Sequence, residues 1–457
     1  MHTTTIRHRG PVLALMCVGM FLVQLDVTVV NVALPHIGED LRTDLSGLQW
    51  VVDSYTVVLA ACLLGAGVIG DRWGHRTVVL VGLALFGVTS LLCGLAPSVG
   101  TLVAARALQG LAAALLLPST LAVVNRTFPK REEKARALGV WAGVSALALP
   151  TGPVLGGVLV TAVGWRSVFL VNLPVVLVAA ALTWRYVRAD APSRTGRLDV
   201  PGLLAAAVFL TALVYSAISA GRSGVSAAPV VAAVAAVLAA VALALWERRA
   251  AQPMFPPELA RRPDFVGANA VAAAMNFVGI GSIFVMTLYL QKVQHRDALT
   301  AGAMLLPLFV PLAACAPVTG RLAARLGPRP PMVAGLLVGA AGSACLLVLT
   351  PASTYGDLLP TLLGLGLGMG LLTAAAVAAA LQAGPPDRPG LSSGVNNTAR
   401  QAAGALGIAV FGALAQDPES PARFTVGLHH IGVLAAALWL AAAALTVRVV
   451  PRPERPH

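Results

Sequence analysis

Long apolar segments alternate with short polar connectors along nearly the whole chain. Each segment holds about 20 residues, which is enough to cross the roughly 30 Å hydrocarbon core of a bilayer. Fourteen such segments cover residues 11–34, 47–69, 77–97, 100–125, 137–160, 165–186, 200–220, 227–246, 265–290, 299–320, 330–350, 358–382, 393–415 and 429–449. The pattern therefore predicts an all-α membrane protein with fourteen transmembrane helices, and its connectors are too short to form a soluble domain.

One polar connector occurs twice. The connector at residues 67–76 reads GVIGDRWGHR, and a related connector at residues 320–329 reads GRLAARLGPR. Each lies between two apolar segments, and the two are 253 residues apart. A repeat at this distance indicates that the chain consists of two related membrane-embedded halves, an arrangement typical of transporters that rock around a central site.

The repeat distance also predicts an insertion between the halves. Two halves of six spans would separate equivalent motifs by roughly 200 residues, so the observed 253 leaves room for one more helical hairpin. The spans within residues 200–246 are almost free of polar residues, as expected for helices that face lipid on most sides. We therefore predict a six-helix half at residues 1–190, a peripheral inserted hairpin at 191–255 and a second six-helix half at 256–457.

Composition and charge agree with a membrane protein. Of 457 residues, 57% are hydrophobic and only 11% are charged, too few charges for a soluble protein of this size. The net charge is +13; of the 32 Lys and Arg side chains, two fall inside spans and six in outer connectors, namely Arg42, Arg166, Arg222, Lys292, Arg296 and Arg423. All others lie on the side of the termini. By the positive-inside rule both termini are cytoplasmic, and the basic charge reports topology, so we expect no nucleic-acid partner.

The first 25 residues resemble a secretory signal peptide, because basic residues precede an apolar run. No small-residue cleavage site follows, and the apolar run continues beyond it. We therefore expect this segment to remain in the protein as the first span.

Several motifs follow one another in a fixed order. They read QLDVTVVNVALPHI (24–37), GVIGDRWGHR (67–76), RALQGLAAALLLPS (106–119), GPVLGG (152–157), WRSVFLVNLP (165–174), YLQKVQHRDALTAG (289–302) and SGVNNTARQAAGALG (393–407). With them the chain resembles the fourteen-span drug:proton antiporters of the major facilitator superfamily, over essentially residues 11 to 450. The resemblance implies the major facilitator fold, with two six-helix halves plus an inserted central hairpin. It also implies efflux of a hydrophobic drug-like or antibiotic-like molecule across a bacterial cytoplasmic membrane, driven by the proton gradient without a cofactor. We expect a monomer.

Asp26 is the one acid that the span boundaries place well inside a helix. A carboxylate in hydrocarbon costs several kcal/mol unless it is paired, protonated or facing a water-filled cavity. At 1.5 Å per residue, Asp26 lies ~12 Å and Arg106 ~9 Å below the outer surface, so the two side chains can meet. Asp26 is then either a proton-coupling carboxylate that Arg106 holds deprotonated, or half of a fixed structural ion pair.

Two further residues belong to this group. The resemblance gives Gln109, together with Arg106 and Gly110, a role in proton transfer. Asp53 lies ~7 Å below the outer surface of the second span. This shallow position leaves two interpretations open for Asp53, a solvated and silent carboxylate or a second coupling group.

The repeated connector predicts a cytoplasmic latch. Glycines there allow close backbone approach and a tight turn, and its charged side chains can pair with neighbouring helix ends. The latch residues are Gly67, Asp71, Arg72, Gly74, Arg76 and, from the second copy, Arg325. Ala324 replaces the acid in that copy, so the second latch is incomplete. The alternative is that this connector only orients the chain through its positive charge.

A glycine and proline motif falls in the fifth span. Its residues are Gly152, Pro153, Gly156 and Gly157. Proline kinks a helix, and glycines give a flat face against which a neighbouring helix can pack. In the family that the chain resembles, this motif accompanies export. An ordinary packing kink is the alternative.

Polar residues within spans are candidates for lining a cavity. We single out Asn31, Asn276 and Arg400, although such side chains also serve as hydrogen bonds between helices in lipid. The span boundaries place no acid deep in the second half. A dication would require two negative charges in a dry cavity, so a lipophilic substrate that is neutral or monocationic is expected.

Three other functions remain to be weighed. The same scaffold can carry a narrow-specificity exporter of a metabolite or a self-made antibiotic. A transport-dead membrane sensor or scaffold should tolerate loss of Asp26 and Arg106. An enzyme is not expected, because the histidines are scattered, the five cysteines lie in apolar spans, and no metal-ligand spacing occurs.

Overall fold

The chain is a bundle of long helices. A computed structural model describes residues 9–189, 199–224, 226–250, 257–385, 389–415 and 420–451. Within these residues, 13 helices are long and apolar enough to cross a membrane, and one bent pair of helices makes a fourteenth span. No strand occurs in the described part of the chain. The prediction of an all-α protein with fourteen spans is therefore confirmed.

The helices are numbered here in chain order. They are α1 (Arg9–Asp40), α2 (Leu45–Trp73), α3 (His75–Gly94), α4 (Val99–Thr127), α5 (Arg131–Ala162), α6 (Ser167–Leu170), α7 (Asn172–Tyr186), α8 (Val200–Ser223), α9 (Ala227–Arg249), α10 (Pro257–Ala260), α11 (Pro263–Leu288), α12 (Ala298–Met304), α13 (Leu306–Leu326), α14 (Arg329–Ala344), α15 (Tyr355–Ala383), α16 (Pro389–Ala415) and α17 (Pro421–Val449). A π-helical turn extends α11 to Val293, and a 3-10 turn extends α14 to Val348.

The bundle has a termini end, where α1 begins, and an opposite end, where α1 finishes. At the termini end, Arg9 of α1 pairs with Glu133 at the start of α5. At the opposite end, Asp40 of α1 accepts hydrogen bonds from the side chains of Trp165 and Arg166. Because the number of spans is even, α1 begins and α17 ends at the same end.

The two copies of the repeat have matching helices. Shifting α2, Leu45–Trp73, by the repeat distance reproduces the start of α12 at Ala298 and the end of α13 at Leu326. Each repeated connector turns at a glycine with positive φ, 86° at Gly74 and 76° at Gly327, a conformation that other residues rarely adopt. The tight turn predicted at Gly74 is thus present. The division at residues 190 and 255 stays a prediction, and the linkers at 190–198 and 251–256 lie outside the described residues.

The tenth span is broken. Helices α12 and α13 meet at an angle of 41°, where the sequence predicted one continuous span. Pro307 follows the break; it has no amide hydrogen, and its ring would clash with the carbonyl of residue 303 in a continuous helix. At the other end of α12, Asp297 accepts hydrogen bonds from the hydroxyl and the amide of Thr300, which lower the pKa of Asp297.

The inserted hairpin, α8 and α9, is mostly exposed. Only 17% of the apolar window of each helix is buried, as expected for a peripheral pair that faces lipid. One face of α8 nevertheless packs between the two halves. Leu210 and Val214 share a buried cluster with Val57 of α2 and Ala405 of α16. The hairpin therefore covers the seam between α2 and α16 on its lipid side.

Candidate functional site

A buried ion pair joins α1 to α4. Asp26 and Arg106 are each 1% exposed, and the Nη1 atom of Arg106 donates to Oδ2 of Asp26. The second oxygen of Asp26 accepts from Nε2 of Gln109 at 3.1 Å, and Arg106 also donates to Oε1 of Gln109 at 2.8 Å. The predicted meeting of Asp26 and Arg106 is present, and Gln109 contacts both.

Four more residues extend this network. Nε of Arg106 donates to the Val51 carbonyl at 3.1 Å, and its guanidinium lies 4.3 Å from the centre of the Tyr55 ring. Gln109 donates to the hydroxyl of Ser90 at 3.0 Å, and Asn172 donates to the same hydroxyl at 3.3 Å. The network thereby connects α1, α2, α3, α4 and α7. Sequence reasoning missed Ser90 and Asn172, although polar residues within apolar spans were a usable signal.

A glycine brings α4 against α2 at this level. A Cβ atom added to Gly110 would collide with the backbone carbonyl of Tyr55. Only glycine allows this approach, which brings Arg106, one turn away on α4, within reach of both α2 and α1.

Asp53 is buried as well. It is 0% exposed, and among the described residues neither of its carboxylate oxygens has a hydrogen-bond partner. It lies one turn along α2 from Gln49, whose Nε2 donates to the carbonyls of Ile408 and Ala409 in α16 at 3.1 and 3.0 Å. Asp53 therefore lies on the side of α2 that meets the second half. The interpretation of Asp53 as a solvated carboxylate is wrong, because α16 covers a surface that depth alone places near water.

The glycine and proline motif of α5 packs against both halves. A Cβ atom on Gly152 would collide with Thr28 of α1, and one on Gly156 would lie 3.0 Å from the Val29 carbonyl. A Cβ atom on Gly157 would lie 2.6 Å from Cα of Leu299, in α12 of the second half. The flat packing face predicted for this motif is present. The predicted kink stays a prediction; α5 is one continuous helix.

An equivalent contact lies in the second copy of the repeat. Gly302 of α12 is 253 residues after Gln49 and packs against the backbone of Pro153 in α5, where an added Cβ atom would collide with the carbonyl. Gln49 packs against Ala409 of α16, where a Cβ atom on Gly412 would meet its side-chain amide. The seams α2–α16 and α12–α5 are therefore related by the repeat.

Further contacts between the halves lie at the opposite end. Gln291 donates to the Val32 carbonyl at 3.0 Å, and Lys292 pairs with Glu39 at 2.9 Å. Lys292 is 253 residues after Glu39, so this pair joins equivalent positions of the two halves.

The seam loosens towards the termini end. None of residues 138–147 of α5 is buried, whereas Ala148 and the four motif residues beyond it are. On α16, residues 397–403 are all partly exposed, whereas residues 407–409 are buried. The bundle is therefore closed at the opposite end and partly open between its halves at the termini end.

The candidate cavity residues have different surroundings. Asn31 is 3% exposed and donates to the Val27 carbonyl at 2.7 Å, so it lines no open space in this structure. Arg400 is partly exposed, and its Nε atom donates to Oδ1 of Asn276 at 3.3 Å. The hydrogen-bonding alternative holds for another pair of side chains, since Asn396 donates to Asn269 at 3.1 Å.

Two of the charged latch residues make side-chain contacts at the termini end. Asp71 lies 3.1 Å from Nε2 of His75, and Arg76 donates to the Trp184 carbonyl at the end of α7 at 2.7 Å. Arg72 and Arg325 are exposed. In this structure the connector is thus attached to α7 by Arg76.

The close approach predicted at Gly67 is not made in this structure. A Cβ atom on Gly67 would meet no atom within 4 Å, whereas one on Gly70 would lie 2.5 Å from Nδ1 of His75 and 3.2 Å from the hydroxyl of Ser119. The tightly packed glycine of this motif is Gly70, three residues further along α2 than Gly67.

This difference predicts opposite results for two alanine substitutions. Gly70→Ala is expected to lower the stability of the purified protein by about 1–3 kcal/mol, since it forces His75 out of place. Gly67→Ala, the matched control, should leave stability unchanged or slightly raised, because alanine favours a helix. Thermal unfolding followed by tryptophan fluorescence measures both. Equal midpoints for the two variants would contradict this assignment of the packed glycine.

Among the described residues, no group of three or more His, Cys, Asp or Glu side chains is arranged to hold a metal ion.

Comparisons with known proteins agree with this arrangement. A family model described as the Major Facilitator Superfamily matches residues 16–408. The chain is 37% identical to the methylenomycin A resistance protein of Streptomyces coelicolor, over 98% of this chain and 93% of that protein. It is 36% identical to the multidrug resistance protein Stp of Mycobacterium tuberculosis, over 87% and 74% of the two chains. It is also 36% identical to the tetracenomycin C resistance and export protein of Streptomyces glaucescens, over 90% and 78%.

Solved structures share the fold at low sequence identity. A bacterial homologue of the human lysosomal transporter Spinster, inward-facing and occupied, aligns with a TM-score of 0.69 at 16% identity, covering 97% of each chain. A peptide transporter in complex with sulfate aligns with a TM-score of 0.71 at 15% identity, covering 96% of this chain and 94% of that one.

Proposed function

The chain belongs to the major facilitator superfamily, and from this premise we propose that it exports a hydrophobic drug-like or antibiotic-like small molecule in exchange for protons. The observation that carries the proposal is the buried contact of Asp26 with Arg106 and Gln109. An ionisable pair inside a membrane bundle marks a proton or substrate path by default. Relatives named for antibiotic resistance and export support the direction of transport. Enzyme activity is not part of the proposal.

We orient the termini end towards the cytoplasm of a bacterium. The Lys and Arg side chains are concentrated in the termini and connectors on that side, as the positive-inside rule requires. In this orientation the structure is closed to the outside and partly open to the cytoplasm, which is the state that takes up substrate. One chain carries both halves and both seams, so we propose that it works as a monomer, with residues 1–190 and 256–457 rocking against each other.

Proton coupling follows from the network. When the opposite end opens, a proton from outside reaches Asp26 and neutralises it, and Arg106 keeps its contacts with Gln109 and the Val51 carbonyl. The loss of the ion pair changes how firmly α1 is held against α4. Return to the cytoplasmic side restores the pair as the proton leaves. Protonation of Asp26 thereby shifts the equilibrium between the two conformations.

Asp53 is proposed as a second proton acceptor. An unpaired charge in a buried site is costly, so the closed seam between α2 and α16 accommodates the neutral acid. Opening of the seam at the opposite end would hydrate Asp53 and let it take up a proton from outside. In the transport cycle this proton would leave through the partly open termini end before the seam opens again.

Asp53→Asn is therefore expected to fold normally and to lower the proton-to-substrate ratio by one proton. The amide has the shape of the protonated acid and fits the same seam, but it cannot exchange a proton. Reversal-potential measurements in proteoliposomes determine the ratio. A ratio equal to that of the wild type would remove Asp53 from the coupling machinery.

The connector between α2 and α3 is proposed as a latch that closes the cytoplasmic side. Gly74 provides its turn and Arg76 ties it to α7. Asp71, Arg72 and Arg325 are poised to form the remaining contacts when that side closes.

The substrate is proposed to be lipophilic. Of the two charge states expected from the sequence, the neutral one fits the described residues better than the monocationic one. Asp26 and Asp53 are both buried and lie towards the opposite end of the bundle. The partly exposed side chain near mid-span, Arg400, is itself a cation.

A fluorescent pH probe in everted membrane vesicles tests the proposal. Methylenomycin A, tetracenomycin C and a set of lipophilic dyes are added after the vesicles have been acidified by respiration. Collapse of the gradient in vesicles with the protein, and not in vesicles without it, supports proton antiport. Substrate accumulation without proton movement would refute the coupling but retain export. A response to one compound alone would favour a narrow-specificity antibiotic exporter, in line with the names of the relatives.

A further inference from the structure

Among the described residues of the second half, one cation lies near the middle of a span. Arg400 lies eleven residues into α16, a helix of 27 residues. Arg400 as a residue is partly exposed, and its described hydrogen bond runs from Nε to the amide oxygen of Asn276 on α11. Asn276 is 6% exposed and lies thirteen residues into α11, so it holds the arginine from one side at mid-span depth.

No described carboxylate balances this charge. The ion pairs of the described residues do not include Arg400, and the described acids of the second half, Glu258, Asp264, Asp297 and Asp357, lie at or outside helix ends. Asp26 in the first half is already held by Arg106. A mid-membrane cation without a counter-ion is costly unless it faces a wet cavity or binds an anion there.

Arg400 lies in a less covered stretch of α16. Residues 397–403 of α16 are all partly exposed, whereas α2 and α8 cover the same helix closer to the opposite end. Asn397 and Gln401 lie within one turn of Arg400 and add amide groups to this surface. Nε of Arg400 donates to Asn276, and neither terminal NH2 group has a hydrogen-bond partner among the described residues, so both remain for a ligand. Their fork matches the two oxygens of a carboxylate.

We propose that Arg400 binds an anionic group of the exported compound, so that the chain exports lipophilic weak acids as their anions. This inference rests on the proposed export function and changes one part of it: the compound stays lipophilic, but it is exported as an anion and not as the neutral compound proposed above. The exchange of one anion outwards for one proton inwards moves two charges in the same direction. The membrane potential of a bacterium, negative inside, would therefore drive such export more strongly than export of a neutral compound.

A matched series of naphthalene probes tests the assignment. 2-Naphthoic acid is an anion at neutral pH, 2-naphthamide is its neutral near-isostere, and 2-naphthylmethylamine is a cation. Binding to the purified full-length protein in phosphatidylcholine nanodiscs is measured by quenching of tryptophan fluorescence. Since no proton gradient is present, the result does not depend on whether export is proton-coupled.

The wild type is expected to bind the acid about 10- to 100-fold more tightly than the amide, which is the range for a charge-assisted, bidentate contact. Arg400→Gln should lose this preference and keep its affinity for the amide, which also shows that the variant is folded. Arg400→Lys should retain part of the preference, because it keeps the charge and loses the fork. Arg448→Gln, an exposed arginine in the last turn of α17, is the matched control and should behave as the wild type.

Three results would overturn the assignment. Equal affinity of the wild type for acid and amide, or tighter binding of the amine, would leave Arg400 as a structural hydrogen-bond donor. An acid preference that survives in Arg400→Gln would place the anion elsewhere. An acid preference that disappears in nanodiscs containing phosphatidylglycerol would show that a lipid headgroup, and not the exported compound, is the anion at this site.

Discussion

Asp26→Asn is expected to abolish proton-coupled efflux in a protein that still folds and reaches the membrane. The amide has nearly the shape of the carboxyl group and can still accept from Arg106, but it cannot take up or release a proton. In acidified everted vesicles, substrate should collapse the gradient with the wild type. With Asp26→Asn the signal should equal that of vesicles without the protein.

A matched acid separates coupling from general effects of charge. Glu258 lies in the short helix α10 and is exposed, so Glu258→Gln removes one negative charge without touching the bundle core. Substrate should collapse the proton gradient with Glu258→Gln as it does with the wild type. Full coupling by Asp26→Asn would instead mean that the pair of Asp26 and Arg106 is a fixed structural contact, and that the proton enters through another group such as Asp53.

Stability provides a second and independent readout. Asp26→Asn leaves the charge of Arg106 buried without a counter-charge, and breaking a buried pair in this way typically costs about 3–5 kcal/mol. In the double variant Asp26→Asn, Arg106→Gln both groups are neutral, so its thermal midpoint should lie above that of either single variant. Substrate should still fail to collapse the proton gradient with this double variant. Recovery of stability without recovery of coupling would show that the carboxylate acts through its proton and not through its contribution to folding.

The meeting of Asp26 and Arg106 was predictable because it needs only the regular rise of a helix. Two residues at the same depth in antiparallel spans of one half can meet when both are too costly to leave unpaired. The same reasoning failed for Asp53, because depth measured from the membrane surface says nothing about lateral cover. The covering helix, α16, is more than 300 residues away in sequence, and no local pattern in α2 records its presence.

The glycines likewise show that a local motif predicts a turn but not a contact with a distant segment. Gly74 was predictable as a turn, since it ends one helix and begins the next. Gly67 and Gly70 occupy one motif, yet only Gly70 faces His75. A motif gives the spacing of glycines along a helix, and the side on which a neighbour lies depends on packing. For the same reason, the contact of Gly157 with Leu299 across the two halves could not be read from either segment alone.

Gly302→Val is expected to prevent closure of the opposite end and thereby to stop transport. Gly302 packs directly on the backbone of Pro153, so a valine side chain must push α12 away from α5. Such overpacking costs about 1–3 kcal/mol and acts on the closed seam alone, which shifts the equilibrium towards the open state by about 5- to 150-fold.

Labelling of a buried cysteine measures this shift. In a chain without its five native cysteines, Val32→Cys places a thiol in the closed seam, where Val32 is 0% exposed and its carbonyl accepts from Gln291. Addition of Gly302→Val should raise the rate at which a membrane-impermeant maleimide labels this thiol from outside. Gly320→Val lies in the helix that follows, where an added Cβ atom meets nothing within 4 Å, and it should leave the labelling rate unchanged. Slow labelling in both variants, together with lost transport in Gly302→Val, would mean that the opposite end still closes. The glycine would then serve a step other than the rocking of the two halves.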